Sequence, residues 1–159
     1  MISNPKALIF LDVEGIPDRD FYYLIGVRVE ASNGGFQHGL WAENEDEENF
    51  IWNNFLDVLS KITNQQIIHY GNYETIFLKR MRARYGGPPE GSQGATALDH
   101  PINLLTFIYA HVYFPTYSNG LKEIAGFIGF QWSGQISSGI ETIIWRRRWE
   151  EFGDQANSN

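Results

Sequence analysis

The sequence predicts an α/β domain in which a mixed sheet, made of three antiparallel strands and then a parallel strand, carries flanking helices. The chain opens with three apolar or aromatic segments, and a glycine-rich stretch separates the second from the third. Helical periodicity and one more short apolar segment follow. Because 43% of the 159 residues are hydrophobic, the chain can bury one sizeable core, and we expect a single domain over residues 1–159.

The first three strands follow one another closely. Residues 7–13 are almost wholly apolar, which is typical of a central strand that is buried on both faces. Residues 21–30 and 36–41 are rich in aromatic and β-branched side chains. Residues 32–35 between them have the composition of a hairpin loop. We therefore expect an antiparallel meander at the start of the chain.

A helix, a strand and a second helix come next. Asn44 is an expected N-cap, and Glu47 three positions later completes a capping-box-like pair. Apolar residues recur at helical spacing over residues 50–62. Residues 66–70 predict a fourth strand that runs parallel to the first, and residues 72–84 predict the second helix.

The remaining elements are predicted to be a loop and helices. Residues 86–89 and the next few form the loop, and residues 104–112 form a helix. Asn119 and Ser138 are expected N-caps of two further helices, and Gly129 is the expected end of the first of these.

Composition excludes several classes of protein. The chain has no cysteine, so disulfides, zinc–thiolate sites and thiol nucleophiles are ruled out. No apolar run approaches the roughly 20 residues that span a bilayer, and there is no secretory signal pattern, so we expect a cytoplasmic protein with no membrane partner.

The net charge of −7 opposes nucleic-acid binding, but the charges are unevenly distributed. Much of the acid lies in residues 43–48. Seven of the twelve basic residues fall in two clusters: Lys79, Arg80, Arg82 and Arg84, and Arg146, Arg147 and Arg148. A surface formed by these basic clusters could bind a polyanion. The alternative is that the clusters are the solvent-exposed faces of two helices.

Three acidic residues form the candidate site. Asp12 and Glu14 close the first strand two positions apart, so their side chains point to the same face of the sheet. Hard cations such as Mg²⁺ and Mn²⁺ relieve the repulsion between such neighbours. The alternative is a solvated turn after the strand.

Glu74 lies in the first turn of the helix that follows the fourth strand. Since that strand lies beside the first in this topology, we expect Glu74 to approach Asp12 and Glu14. The alternative explanation for Glu74 is its favourable interaction with the helix dipole. Three converging carboxylates are what a two-metal phosphodiester site requires.

These segments resemble the motifs of a known superfamily. Residues 10–14, an apolar strand that closes in Asp-x-Glu, look like the first motif of the DEDD exonucleases, which have an RNase H-like fold. Residues 69–74 are similar to their second motif, which the chain matches at His69, Gly71 and Tyr73. It departs from that motif with Tyr70 in place of asparagine and Glu74 in place of aspartate.

The closer resemblance is to the predicted RNase H-like nuclease domain of YprB type, which typically has tyrosine and glutamate in the second motif. The resemblance spans about residues 7–151, and residues 113–122 are its most specific part. It implies an RNase H-like mixed sheet and a metal-dependent nuclease, expected to be a 3′–5′ exonuclease on DNA or RNA. It also implies a RecB-like nuclease or helicase module in the full-length protein.

The resemblance assigns roles to particular residues. It implies that Asp12, Glu14 and Glu74 are catalytic and bind Mg²⁺ or Mn²⁺. The residues that we expect to contact nucleic acid are Tyr70, Asn72, Tyr117, Ser118, Asn119 and Lys122. The last four resemble a helix entry that could hold phosphate, with a capped helix and an exposed lysine as the alternative. His69 is expected to be a hydrogen-bonded structural residue.

One motif of the family has no match. Its third motif carries the last catalytic aspartate on a helix, and nothing after Glu151 resembles it, with Asp154 a poor substitute. We therefore expect the domain to be truncated before its C-terminal catalytic helix and to be weak or inactive as it stands. The alternatives are a non-catalytic nucleic-acid-binding or assembly module and a two-carboxylate glycosidase, whose activity would not need metal.

Overall fold

The computed structural model describes residues 5–131, 144, 146–148 and 150. The chain divides into two compact units, Met1–Asn119 and Gly120–Asn159. The first unit holds the whole sheet, and the second holds a short helix and a few further helical residues. The single domain that we expect over residues 1–159 stays a prediction.

Five strands form one mixed sheet: β1 (Ala7–Ile16), β2 (Phe21–Ala31), β3 (Gly34–Trp41), β4 (Gln65–His69) and β5 (Ile102–Asn103). Their order is β3-β2-β1-β4-β5. β1 pairs antiparallel with β2, and β2 pairs antiparallel with β3. β4 pairs parallel with both β1 and β5. The predicted fold class, a mixed α/β sheet with flanking helices, is therefore confirmed.

The first strand is longer than its sequence pattern indicates. β1 continues beyond Glu14, with Gly15 opposite Tyr22 and Ile16 opposite Phe21, after an irregularity in register between Glu14 and Gly15. The expectation that Asp12 and Glu14 close the strand is therefore wrong by two residues. The reason is that β2 still offers a pairing partner there, and the chain turns only at Pro17–Arg19.

Five helices accompany the sheet among the described residues: α1 (Glu48–Ser60), α2 (Tyr73–Tyr85), α3 (Gln93–Asp99), α4 (Leu104–His111) and α5 (Leu121–Phe127). Ser92 caps α3 by accepting a hydrogen bond from the Ala95 N–H at 3.2 Å. None of these helices is long and apolar enough to cross a membrane.

Two of the predicted helix starts are displaced. Asn44 caps a short 3₁₀ turn, Glu45–Glu47, which delays the start of α1, and the Glu47 carboxylate accepts from the N–H of Glu43 rather than from Asn44. Asn119 does not cap α5, because Gly120 occupies the N-cap position without a side-chain bond.

The predicted end of α5 is confirmed. Gly129 follows the helix with φ of 91°, the left-handed conformation that favours glycine. The predicted helix start at Ser138 lies outside the described residues, as do Glu151 and Asp154.

The core lies on one face of the sheet. Alternate residues of β1 and β2 are buried on this face, where α1 and α2 bring in large side chains. The fully buried ones include Trp52, Phe55, Phe77 and Met81. Because successive residues of a strand face opposite sides, the other face of β1 carries Phe10 and Asp12, both exposed. The core therefore fixes β1 and leaves the face with the acids open to solvent.

Candidate functional site

Asp12 and Glu14 lie on the open face of β1, and between them Val13 is buried in the core. Asp12 is exposed and Glu14 is half-buried. Desolvation by the surrounding protein raises the pKa of the Asp12 carboxyl even though part of the side chain stays exposed, and the backbone N–H of Val13 partly offsets this. The strand thus places the two acids on the same face, and burial makes ionisation of the Asp12 carboxyl less favourable.

Glu74 lies in the first turn of α2 and is only 5% exposed. The pKa of its carboxyl is raised to about 7, first by burial and then by the charges of Asp12 and Glu14, against the opposing effect of the backbone N–H groups of Glu74 and Val13. The three acids are therefore electrostatically coupled, and one backbone N–H, that of Val13, acts on both Asp12 and Glu74.

Coupling is not the same as coordination geometry. Within the described part of the chain, no group of three or more His, Cys, Asp or Glu residues is placed to hold a metal ion. The chemical types do fit a hard cation, since three carboxylates offer the oxygen ligands that Mg²⁺ and Mn²⁺ prefer. A shared metal site at Asp12, Glu14 and Glu74 stays a prediction.

Behind Glu74 lies His69, the last residue of β4, which is 3% exposed. Its Nδ1 is 3.9 Å from Oε2 of Glu74, and neither of these buried atoms has a hydrogen-bond partner. Burial lowers the pKa of His69, so the ring is neutral near pH 7, and the Gly71 backbone opposes this shift. His69 is hydrogen-bonded to the Gly71 backbone, as expected of a structural histidine, but its Nδ1 has no partner. Two facing, unsatisfied polar atoms are a costly arrangement that a bound group could relieve.

Gly15 and Tyr73 fit tightly together beside the acids. A Cβ on Gly15 would lie 2.6 Å from the Tyr73 hydroxyl and 2.7 Å from the Phe21 carbonyl oxygen. Burial raises the pKa of Tyr73, and the charges of neighbouring Tyr22 and then Glu14 add to the shift, so the hydroxyl stays protonated. Sequence analysis missed this role of Gly15, and the only available signal was its position directly after Asp-x-Glu.

The loop between β4 and α2 is held by an asparagine that sequence analysis also missed. The side-chain oxygen of Asn103, on β5, accepts from the Gly71 N–H at 3.0 Å, and its side-chain nitrogen donates to Asn72 at 3.3 Å. The Tyr70 hydroxyl donates to the Asn119 carbonyl at 2.5 Å. Tyr70, Asn72 and Asn119 are therefore brought together, and their observed contacts are structural.

The other expected nucleic-acid contacts are placed differently. Tyr117 and Ser118 are exposed, and the Ser118 carbonyl accepts from the Thr116 hydroxyl at 2.8 Å. Lys122 is exposed on α5, in the second unit, so the predicted phosphate-binding helix entry is split between the two units.

The basic cluster on α2 is not a free polyanion-binding face. Arg80 pairs with Asp20, Arg82 pairs with Asp99 at 2.6 Å, and Arg84 pairs with both Asp20 and Glu48. These arginines are neutralised by acids that are distant in sequence, which a reading of local charge clusters does not detect. In the second cluster, Arg146 is buried and pairs with Glu150 at 2.9 Å.

The strand order and the acids on β1 and α2 define the class of RNase H-like domains. In agreement, the family model of the RNase H superfamily matches residues 9–159. The chain belongs to the RNase H superfamily, and this membership suggests a nuclease-type hydrolase that binds nucleic acid. Neither the curated proteins nor the solved structures gave a match.

Proposed function

We propose that this domain is a metal-dependent nuclease that hydrolyses phosphodiester bonds of DNA or RNA, with Asp12, Glu14 and Glu74 as its catalytic acids. The observation that carries the proposal is that Glu74 is buried in the first turn of α2, within electrostatic reach of Asp12 and Glu14, so that burial first and then their charges raise its pKa. Acids that repel one another in an RNase H-like fold are stabilised when a divalent cation offsets their charge, and such a cation can support phosphodiester hydrolysis. The finer proposal is a 3′–5′ exonuclease of the DEDD class, working beside a RecB-like nuclease or helicase module.

The residues divide the work between them. Asp12, on the rigid central strand, is the fixed and most accessible ligand. Glu74 is the ligand that must lose a proton near neutral pH before it can bind a cation. His69, whose Nδ1 lies 3.9 Å from Oε2 of Glu74, would hydrogen-bond and position that carboxylate after a small movement of either side chain. Bound Mg²⁺ or Mn²⁺ would supply an activated water and stabilise charge on the leaving oxygen.

The test compares the wild-type full-length protein with Asp12→Ala, using end-labelled single-stranded and duplex DNA and RNA with Mn²⁺. We expect cleavage to fall by at least about 100-fold, since metal stabilisation of the transition state is worth several kcal/mol. The melting temperature without metal should be equal or slightly higher, because the change removes repulsion with Glu14. Asp57→Ala, which breaks only an exposed pair with Lys61, is the matched control and should cut normally.

Two results would contradict the assignment. One is an Asp12→Ala protein that melts well below wild type while its folded fraction still cuts normally. The other is cleavage that persists in the presence of a chelator, which would show that the activity does not depend on a metal ion.

One observation favours a second candidate function, a non-catalytic nucleic-acid-binding or assembly module. The described residues contain no ready-made group of three metal ligands. Calorimetry with Mn²⁺ separates the two: the nuclease predicts weak binding that Asp12→Ala abolishes, whereas the module predicts no binding that depends on Asp12.

A further inference from the structure

The segment from α4 to Asn119, residues 104–119, exposes an unusual amount of aromatic surface, and we call it the aromatic lobe. Ile108 is the only buried residue of α4, although the helix is strongly apolar. Phe107, Tyr109, Tyr113 and Tyr117 are 53%, 69%, 90% and 101% exposed. Tyr109, Tyr113 and Tyr117 line one groove, and exposed apolar surface that is gathered in this way marks an interaction site.

The chemistry of the lobe selects the kind of partner. In a chain with 19 acidic residues, residues 104–119 contain no Asp or Glu, and they contain no Lys or Arg either. The Phe107 and His111 rings are stacked, with centroids 4.5 Å apart and planes 21° apart. A groove of about 710 Å³ lies beside them, lined by Tyr109, His111, Tyr113 and Tyr117 among others. Flat rings without repelling carboxylates suit the faces of unpaired nucleobases.

Both ends of the lobe are bonded to the loop that precedes Glu74. At the start, Asn103 bonds to Gly71 and Asn72 and also accepts from the Leu105 N–H at 3.1 Å, which begins α4. At the end, the Asn119 carbonyl accepts from Tyr70. A nucleic-acid strand that is bound to the lobe would therefore lie next to residues 70–72. These residues lead directly into the first turn of α2.

We propose that the aromatic lobe binds the unpaired bases of single-stranded nucleic acid and presents that strand to the site at Glu74. Presentation to the site rests on the proposed nuclease function, whereas binding does not. In a duplex the base faces are stacked on one another, so the lobe selects single strands.

The test measures binding without catalysis, by fluorescence anisotropy of a labelled single-stranded oligothymidine in the presence of a chelator. The variant Tyr113→Ala/Tyr117→Ala should bind at least about fivefold more weakly, given the usual contribution of base–aromatic stacking. Tyr113→Phe/Tyr117→Phe keeps both rings and should bind like wild type. Phe50→Ala, which removes an exposed aromatic ring from α1, is the matched control and should also bind like wild type.

Substrate analogues test the mechanism. An abasic strand of the same length keeps the phosphates but lacks the bases, so it should bind as weakly as the alanine variant does to the intact strand. Equal binding of abasic and intact strands, or of duplex and single strand, would overturn the inference. So would alanine substitutions that alter self-association in sedimentation and leave oligonucleotide binding unchanged.

Failure of the nuclease proposal is separately visible. In the chelator, where no metal-dependent cleavage occurs, the wild-type protein should still bind the oligothymidine through the lobe. A protein that binds single strands through the lobe but never cuts them would refute the nuclease and support the lobe. A protein that cuts but binds independently of Tyr113 and Tyr117 would refute the lobe alone.

Discussion

At the scale of single residues, Glu74 couples its charge to the stability of the fold. Its pKa in the folded protein, about 7, lies above the ordinary 4.5, so the neutral form is favoured on folding. The stability that this provides is fully present below pH 4.5 and is lost as the pH rises through 7. At full ionisation the loss is roughly 3 kcal/mol, because each pKa unit corresponds to about 1.36 kcal/mol.

We therefore expect Glu74→Gln, without metal, to become progressively more stable than wild type between pH 4.5 and 7. Urea unfolding at several pH values, with a chelator present, measures the difference between the two proteins. All other titrating groups are present in both proteins, so the difference in their free energies of unfolding reports the titration of residue 74. Parallel stability curves would mean that the pKa of Glu74 is not raised in the folded protein.

Gly15 is a second residue on which the site depends. Gly15→Ala places a Cβ within 3 Å of both the Tyr73 hydroxyl and the Phe21 carbonyl oxygen, so a ring and a backbone segment must move. We expect a loss of about 1–3 kcal/mol, as for other overpacked positions. Gly39→Ala is the control, because its Cβ would meet only Leu24, at 3.7 Å. Chemical denaturation measures the free energy of unfolding of both variants. Equal values for Gly15→Ala and Gly39→Ala would contradict the tight fit between Gly15 and Tyr73.

The residues differ in how far the sequence reveals them. Asp12, Glu14 and Glu74 could be selected because the spacing of the carboxylates and the order of elements along the chain can both be read from the sequence. Gly15, Asn103 and the unpartnered nitrogen of His69 acquire their roles only from neighbours that folding brings close. No local pattern encodes a clash between positions 15 and 73 or a bond between positions 71 and 103.

At the scale of elements, Glu48 at the start of α1 joins three parts of the fold. Its buried carboxylate accepts from the Tyr22 N–H of β2 at 2.7 Å and from Arg84 and Tyr85 of α2 at 2.8 and 2.7 Å. Removing this carboxylate leaves a buried backbone N–H and part of a guanidinium without a partner.

We expect Glu48→Ala to lower the free energy of unfolding by about 3 kcal/mol, in the range for a broken buried pair. Urea denaturation gives the value. Glu47→Ala, which loses only one exposed bond to the Glu43 N–H, is the control and should change stability far less. A small effect at Glu48 would show that water replaces its bonds without cost.

The elements were predictable where they are long and periodic. β1 to β4, α1, α2 and α4 begin and end within a few residues of the predicted positions, because their apolar and aromatic residues recur at strand or helix spacing between turn signals. β5 has two residues, too few for any alternation to be visible. α3 follows a Gly–Pro loop and includes Gly94, which weakens both the helix propensity and the apolar pattern.

At the scale of the whole molecule, the net charge of −7 and the paired arginines of α2 determine how the protein responds to salt. For single strands, each phosphate contact adds about 0.7 to the steepness with which log affinity falls against log salt concentration. We expect a shallow slope for single-stranded DNA, because the described arginines of α2 are already in ion pairs. Anisotropy titrations from about 50 to 200 mM salt give the slope. A steep fall, equivalent to six or more contacts by the same relation, would mean that those ion pairs open to bind phosphate.

The edge strand β3 has a consequence for handling the protein in solution. It lies at one end of the sheet, all but one of its residues are exposed, and Gly34–Trp41 contains no Lys, Asp, Glu or Pro. Natural edge strands usually carry such residues because they block pairing with another chain. This strand therefore offers an unguarded backbone template, on which aggregation at high concentration would begin by strand addition. A lysine at Gln37, near the middle of β3, is the first change to make for a more soluble preparation.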